Sequence, residues 1–147
     1  MVGARHAVPL RLRERPLLNG WRWVKLGEVC KINPRRVIPS DRDNDASTTF
    51  IPMAAIDERT GIVARSATKS YGEVKQGYTF FIEGDVLFAK ITPCMQNGKH
   101  AVVRETVDGI GFASTEFHVL RPSREITNDW IHFFLRQPVI LRECFEK

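Results

Sequence analysis

Asp57, followed by Glu73-Val74-Lys75, has the loose D…ExK spacing with which many nucleases bind Mg²⁺ beside a scissile phosphate. Such a site needs its ExK on a hydrophobic strand, and here the triplet lies between Gly72 and Gly77, where exposed loop charges are the simpler expectation. Asn33-Pro34 begins like the NPPY motif that holds a flipped base in amino-methyltransferases. Arg35 and Arg36 follow it, so the second proline and the stacking aromatic are missing. There is no GxSxG, no GxGxxG, and no GxxxxGK followed by Ser or Thr. His6, His100, His118 and His132 share no metal-ligand spacing with Cys30, Cys94 and Cys144. The sequence therefore predicts no catalytic residue, no metal and no cofactor.

What remains is a chemistry of contact. The stretch 84–101, GDVLFAKITPCMQNGKHA, places Lys90, Thr92, Gln96, Asn97 and Lys99 around a loop between two strand-like runs. Gln and Asn amides can donate and accept at once, as a base edge requires, while Lys and Thr suit phosphate oxygens. An ordinary polar hairpin loop has the same composition, so chemistry alone leaves both readings open. Arg65, Lys69 and Lys75, in the segment 65–75, form a second group of candidate contacts.

The elements that must position these residues read as an α+β chain. Apolar spacing over 23–32 suits a short amphipathic helix ended by Asn33-Pro34. Residues 39–47 read as a polar surface loop, residues 50–53 as a strand, and residues 57–61 as a turn. From residue 78 the β signal is dense. Strands are predicted over 78–82, 86–91, 99–104 and 116–120, with a hairpin turn at Asn97-Gly98 and Phe117 and Val119 sharing one face. In the strand 86–91, alternation puts Val86, Phe88 and Lys90 on one side and Leu87, Ala89 and Ile91 on the other. Thr127 or Asn128 should cap a helix with a stripe of Trp130, Phe133 and Phe134 flanked by Ile131 and Leu135, and Pro138 should begin another over 139–145. The expected fold is a twisted, mostly antiparallel sheet with short flanking helices.

Nine Phe, three Trp and two Tyr in 147 residues are enough for one domain with a core. No apolar run approaches a bilayer span, residues 8–18 are too broken by charge to be a signal peptide, and three scattered cysteines argue against a disulfide framework, so a cytoplasmic setting is expected. Net charge is +5, and it is concentrated: residues 1–36 hold nine Arg/Lys against two Glu, whereas residues 37–147 are slightly acidic. A basic N-terminal extension over 1–20 would add non-specific phosphate affinity by counterion release, leaving 21–147 as the folded domain.

Three blocks in order carry a family resemblance: Trp21 through Cys30 (WRWVKLGEVC), GDVLFAKITPCMQNGK, and GIGFASTEFHVLRP with the later DWIHFFLR. They resemble one target-recognition domain of the specificity subunits of bacterial type I restriction–modification enzymes. The resemblance implies a non-catalytic reader of one half of a split site in double-stranded DNA. It also implies modification and restriction subunits as partners, which supply methylation and cleavage. Compared with that family, the chain stops inside a helical pattern at Lys147, before the spacer helix. That predicts weak half-site binding and a homodimer through exposed Ile140, Leu141 or Phe145. The rival readings are a small Mg²⁺-dependent nuclease using Asp57, Glu73 and Lys75, and a protein-interaction module with no DNA contact.

Overall fold

The computed structural model describes residues 15–146. Most of the basic extension, with Arg5, Arg11 and Arg13, lies outside the described residues. Along the chain run α1 (Leu26–Val29), β1 (Cys30–Ile32), β2 (Ser47–Ile51), β3 (Ile56–Asp57), β4 (Ile62–Val63), β5 (Ala67–Ser70), α2 (Tyr71–Val74), β6 (Thr79–Ile82), β7 (Val86–Ala89), β8 (His100–Val102), β9 (Ile110–Ala113), β10 (Phe117–Pro122), α3 (Asn128–Leu135) and α4 (Pro138–Phe145). They form two four-stranded sheets, β1-β10-β7-β8 and β5-β2-β9-β6, and a small ribbon, β3-β4. Every pairing is antiparallel except β2 with β9.

Period-two alternation explains the layering. On β7, Leu87 and Ala89 face the second sheet and pack with Ile51, Phe81, Ala113, Phe117 and Val119. Val86 and Phe88 point the other way, onto Ile131, Leu135 and Ile140 of the two C-terminal helices. The far face of the second sheet buries Phe50, Phe80 and Phe112 under Val74 of α2. In the centre of that sheet Gly111 is required by contact, because a Cβ there would lie 2.4 Å from the Phe81 ring and 2.8 Å from the Thr49 carbonyl.

The α+β, mostly antiparallel class matches the sequence expectation, and the strands divide between two packed sheets. The helix expected over 23–32 is one turn, because Cys30–Ile32 pairs with β10 in the register Cys30↔Pro122. Asn97-Gly98 does not form a two-residue hairpin turn. It ends a helical turn, with the Lys99 N–H on the Cys94 carbonyl at 3.1 Å, the Gly98 N–H on the Met95 carbonyl at 3.2 Å, and Gly98 at φ +79°. That is the Schellman pattern, in which an αL glycine satisfies the last carbonyls of a turn. On α3 the expected stripe is shifted, with Phe134 half-buried against the core. Ile131, His132 and Leu135 are buried, while Trp130 and Phe133 remain 40% and 65% exposed. Thr127 does cap this helix, its hydroxyl accepting from the Trp130 N–H at 3.2 Å, and Pro138 opens α4.

Candidate nucleic-acid interface

The segment between β7 and β8 is braced from beneath. The Ala89 N–H donates to His100 Nδ1 at 3.1 Å. A backbone amide can only donate, so Nδ1 is the acceptor and the ring proton sits on Nε2, where it reaches the Met95 carbonyl at 3.1 Å. Burial pushes His100 down to about 4, which keeps the ring neutral. Arg136 of α3 adds a second brace: its guanidinium donates to the Gly98 carbonyl at 2.7 Å and to the carbonyls of Glu58 and Arg59 at 3.1 and 3.0 Å. Gly61, at φ +68°, permits this, because any Cβ there would come within 2.6 Å of Arg136 Nη1. Met95 is buried, whereas Thr92, Gln96 and Asn97 are exposed and their side chains have no hydrogen-bond partner among the described residues.

The other predicted residues fall into separate places. Lys99 turns inward, its Nζ 3.4 Å from the Ile56 carbonyl, and shares a shallow groove with Arg65, Asp57 and Glu58. Lys69 lies over the Phe50 ring at 5.0 Å on the outer face of the second sheet. Lys75 donates to Asn44 Oδ1 at 2.8 Å and sits over the edge of the same face, 5.9 Å from the Tyr71 ring. Lys90 follows the last residue of β7, and its N–H still bonds the Glu116 carbonyl at 3.0 Å. Its side chain lines a cleft of about 270 Å³ with Asn33, Arg36, Tyr78 and His118, the residue paired with Phe88.

Sequence reasoning did not find Asn33, Arg36, Tyr78 or His118. Asn33, at φ +48°, is the hinge of the cleft. Its Oδ1 accepts from the Val119 N–H at 2.9 Å, and its Nδ2 faces His118 Nδ1 at 2.9 Å. The backbone donor fixes the amide orientation, so Nδ2 must donate to the ring, and the His118 proton sits on Nε2. Burial and the neighbouring Lys90 charge hold the imidazole below its ordinary pKa. Arg36 lies over the Phe112 ring at 4.9 Å, and Tyr78 packs edge-on against Phe50 at 4.9 Å. The only sequence signal was the run Asn33-Pro34-Arg35-Arg36, whose arginines disqualify it as a methyltransferase motif.

The D…ExK residues stand apart and have local tasks. Asp57 Oδ1 accepts from the N–H groups of Arg59 and Thr60 at 2.8 and 3.1 Å, and these bonds lower its pKa. Glu73 closes the capping box of α2, accepting from the Ser70 hydroxyl and N–H at 2.8 and 3.0 Å, which lowers its pKa too. No group of three or more His, Cys, Asp or Glu residues able to hold a metal ion occurs among the described residues. No described helix is long and apolar enough to cross a membrane. A separate, largely apolar groove of about 630 Å³ runs between α1 and the C-terminal helices, with Trp21, Trp23, Trp130 and Phe134 on its walls.

The family model "Type I restriction modification DNA specificity domain" matches residues 19–144. The type I restriction enzyme EcoEI specificity subunit of Escherichia coli is 38% identical over 128 residues, covering 85% of this chain and 21% of that subunit. The EcoAI specificity subunit of Escherichia coli is 38% identical over 117 residues, 78% of this chain and 19% of that one. Among solved structures, the HsdS subunit from Thermoanaerobacter tengcongensis superposes with a TM-score of 0.65 at 26% identity, over 84% of this chain and 31% of its own. A chain from a structure describing complex assembly and conformational transition of the type I R-M system gives 0.64 at 27%, with the same coverage. The chain thus spans about a fifth of the length of the curated relatives it matches.

Proposed function

The chain belongs to the type I restriction–modification DNA specificity domain family, and on that premise we propose that it reads base sequence in duplex DNA for such a system and performs no chemistry itself. The observation that carries this reading is the loop between β7 and β8. Its backbone is fixed by His100, Arg136 and the Schellman turn, while Thr92, Gln96 and Asn97 stand exposed without a protein partner. A pre-organised loop loses little conformational entropy on binding, and unpartnered amides are the groups that read base edges. Lys90, with Arg65, Lys69 and Lys75 farther away, would contact phosphate and set register rather than sequence. Lys99 is the weakest of the proposed contacts, since it is half-buried beside Asp57 and Glu58.

The nuclease alternative loses its support, because Asp57 and Glu73 are spent on a turn and a helix cap in different parts of the fold. Partner subunits for modification and restriction, and a cytoplasmic setting, follow from the same family reading. The groove beside Trp21, Trp23 and Trp130 supports a protein contact. Self-association through α4 has less to work with than its sequence suggests, since Ile140 is buried against Leu120 and Leu135 while Phe145 stays 53% exposed. Titration of labelled duplexes with the purified chain, with Mg²⁺, ATP and S-adenosylmethionine present, tests the proposal. Salt-dependent binding without methylation or cleavage is expected. Turnover by the pure chain, or no binding to any duplex, would refute it.

A further inference from the structure

We propose that the cleft between the 33–36 segment and β10 is a binding site for a backbone phosphate of duplex DNA, with Lys90, Arg36 and the Nε2–H of His118 as donors and Asn33 as the positioning residue. The inference rests on the reading that the chain binds duplex DNA, and it adds a place and a chemistry that the sequence did not indicate.

The first ground is charge. Lys90 and Arg36 line the cleft with Asn33, Tyr78 and His118, and among the described residues no Asp or Glu lines it. Neither cation has a carboxylate partner among the described residues, whose ion pairs are Arg42–Asp108, Arg104–Asp129 and Arg121–Asp85. The Arg65–Lys99 groove, by contrast, includes Asp57 and Glu58. Carboxylates lining a groove offset the attraction that its cations hold for a phosphate, and a cleft without them keeps it.

The second ground is directional. Val119 fixes the Asn33 amide, Asn33 fixes the His118 tautomer, and the outcome is an Nε2–H donor with no partner among the described residues, on a ring that lines the cleft. A neutral histidine held as a donor beside two cations suits an acceptor-only anion. It would be a poor arrangement for a cationic or apolar ligand. The third ground is continuity. Tyr78 lines the cleft and packs against Phe50, over which Lys69 lies, so a basic edge runs from the cleft onto the outer face of the second sheet. An extended polyanion could follow that edge, and an isolated phosphate ion would gain nothing from it.

The test measures duplex affinity against salt for the whole chain and for Lys90→Gln, His118→Ala and His118→Gln, with near-UV circular dichroism to confirm the fold. Lys90→Gln should weaken binding about tenfold and reduce the slope of log affinity against log salt by about one, as expected for one lost phosphate contact. His118→Ala should weaken it several-fold. His118→Gln should recover most of that loss, because the Gln Nε2 group stands where His Nε2 does. Nitrogen-15 NMR should find the Nε2–H tautomer at His118, and Asn33→Asp should raise the pKa of this ring. Wild-type binding with an unchanged salt slope in Lys90→Gln, or an Nδ1–H tautomer at His118, overturns the cleft proposal and leaves the DNA reading standing. Absence of wild-type binding overturns both. A His118 signal that moves with millimolar inorganic phosphate but not with duplex would assign the site to a free anion and refute the DNA assignment.

Discussion

His100 and His118 each have their tautomer set by a chain of hydrogen bonds that begins at a backbone N–H, yet they serve opposite ends. Both nitrogens of His100 are used inside the protein, on the Ala89 N–H and the Met95 carbonyl, and the ring is fully buried. His118 uses one nitrogen, on Asn33, and presents the other at a cleft. The same division separates Lys99, tied inward beside Asp57 and Glu58, from Lys90, open in a cleft without acids. Residue type does not tell a structural group from a recognition group. What does is whether its hydrogen-bonding and charge capacity is already met within the fold.

Changes on either side of that division should therefore differ in kind. The largest effect expected is on stability, at His100. Its folded pKa is about 4 against an ordinary 6.5, so the unfolded chain binds the proton more readily and stability falls as pH drops through that window. The loss should approach about 3 kcal/mol by pH 4. Between pH 7 and 5 the difference between the denaturation curves of wild type and His100→Gln reads this group, since His118 and His132, also held below the ordinary value, contribute to both. A wild-type curve as flat as the variant's would remove His100 from the brace.

Next in size is charge reversal. Lys90→Glu should weaken duplex binding about a hundredfold by losing one charge-assisted contact and adding repulsion, while Lys99→Glu should cost less than about tenfold. Equal losses measured by anisotropy would erase the contrast between cleft and groove. Gln96→Ala and Asn97→Ala come third, at about 1–3 kcal/mol on a preferred site and little on others. A uniform loss across sequences would make them phosphate contacts. The smallest effect is expected at the acidic groove. Glu58→Gln, by relieving the neutralised groove, should strengthen non-specific binding only about twofold to threefold.

The fold was legible where side chains are large and the pattern local. The aromatic and β-branched runs at β6, β7 and β10, the Thr127 cap and the Pro138 start all stand at or near their expected positions. It was illegible where a distant partner decides. Cys30–Ile32 has spacing that suits a helix as well as a strand, and pairing with β10 selects the strand. β5 is short and polar, and it exists because Ser47–Ile51 offers it an edge. His132 faces inward on α3 because its ring reaches the His100 carbonyl at 3.0 Å, displacing Trp130 and Phe133 to the outside. The loop residues Thr92, Gln96 and Asn97 were visible as a cluster in sequence. The cleft was not, since its parts come from positions 33–36, 78–80, 90 and 117–119, and only the fold brings them together.

Selection of bound duplexes from a randomised pool would show whether the loop between β7 and β8 reads base sequence. Wild type and the Gln96→Ala and Asn97→Ala variants would be compared side by side. Wild type should enrich one short motif, and each variant should relax it at one or two positions without changing the rest. An unenriched wild-type pool, or a motif unchanged in both variants, would contradict that reading.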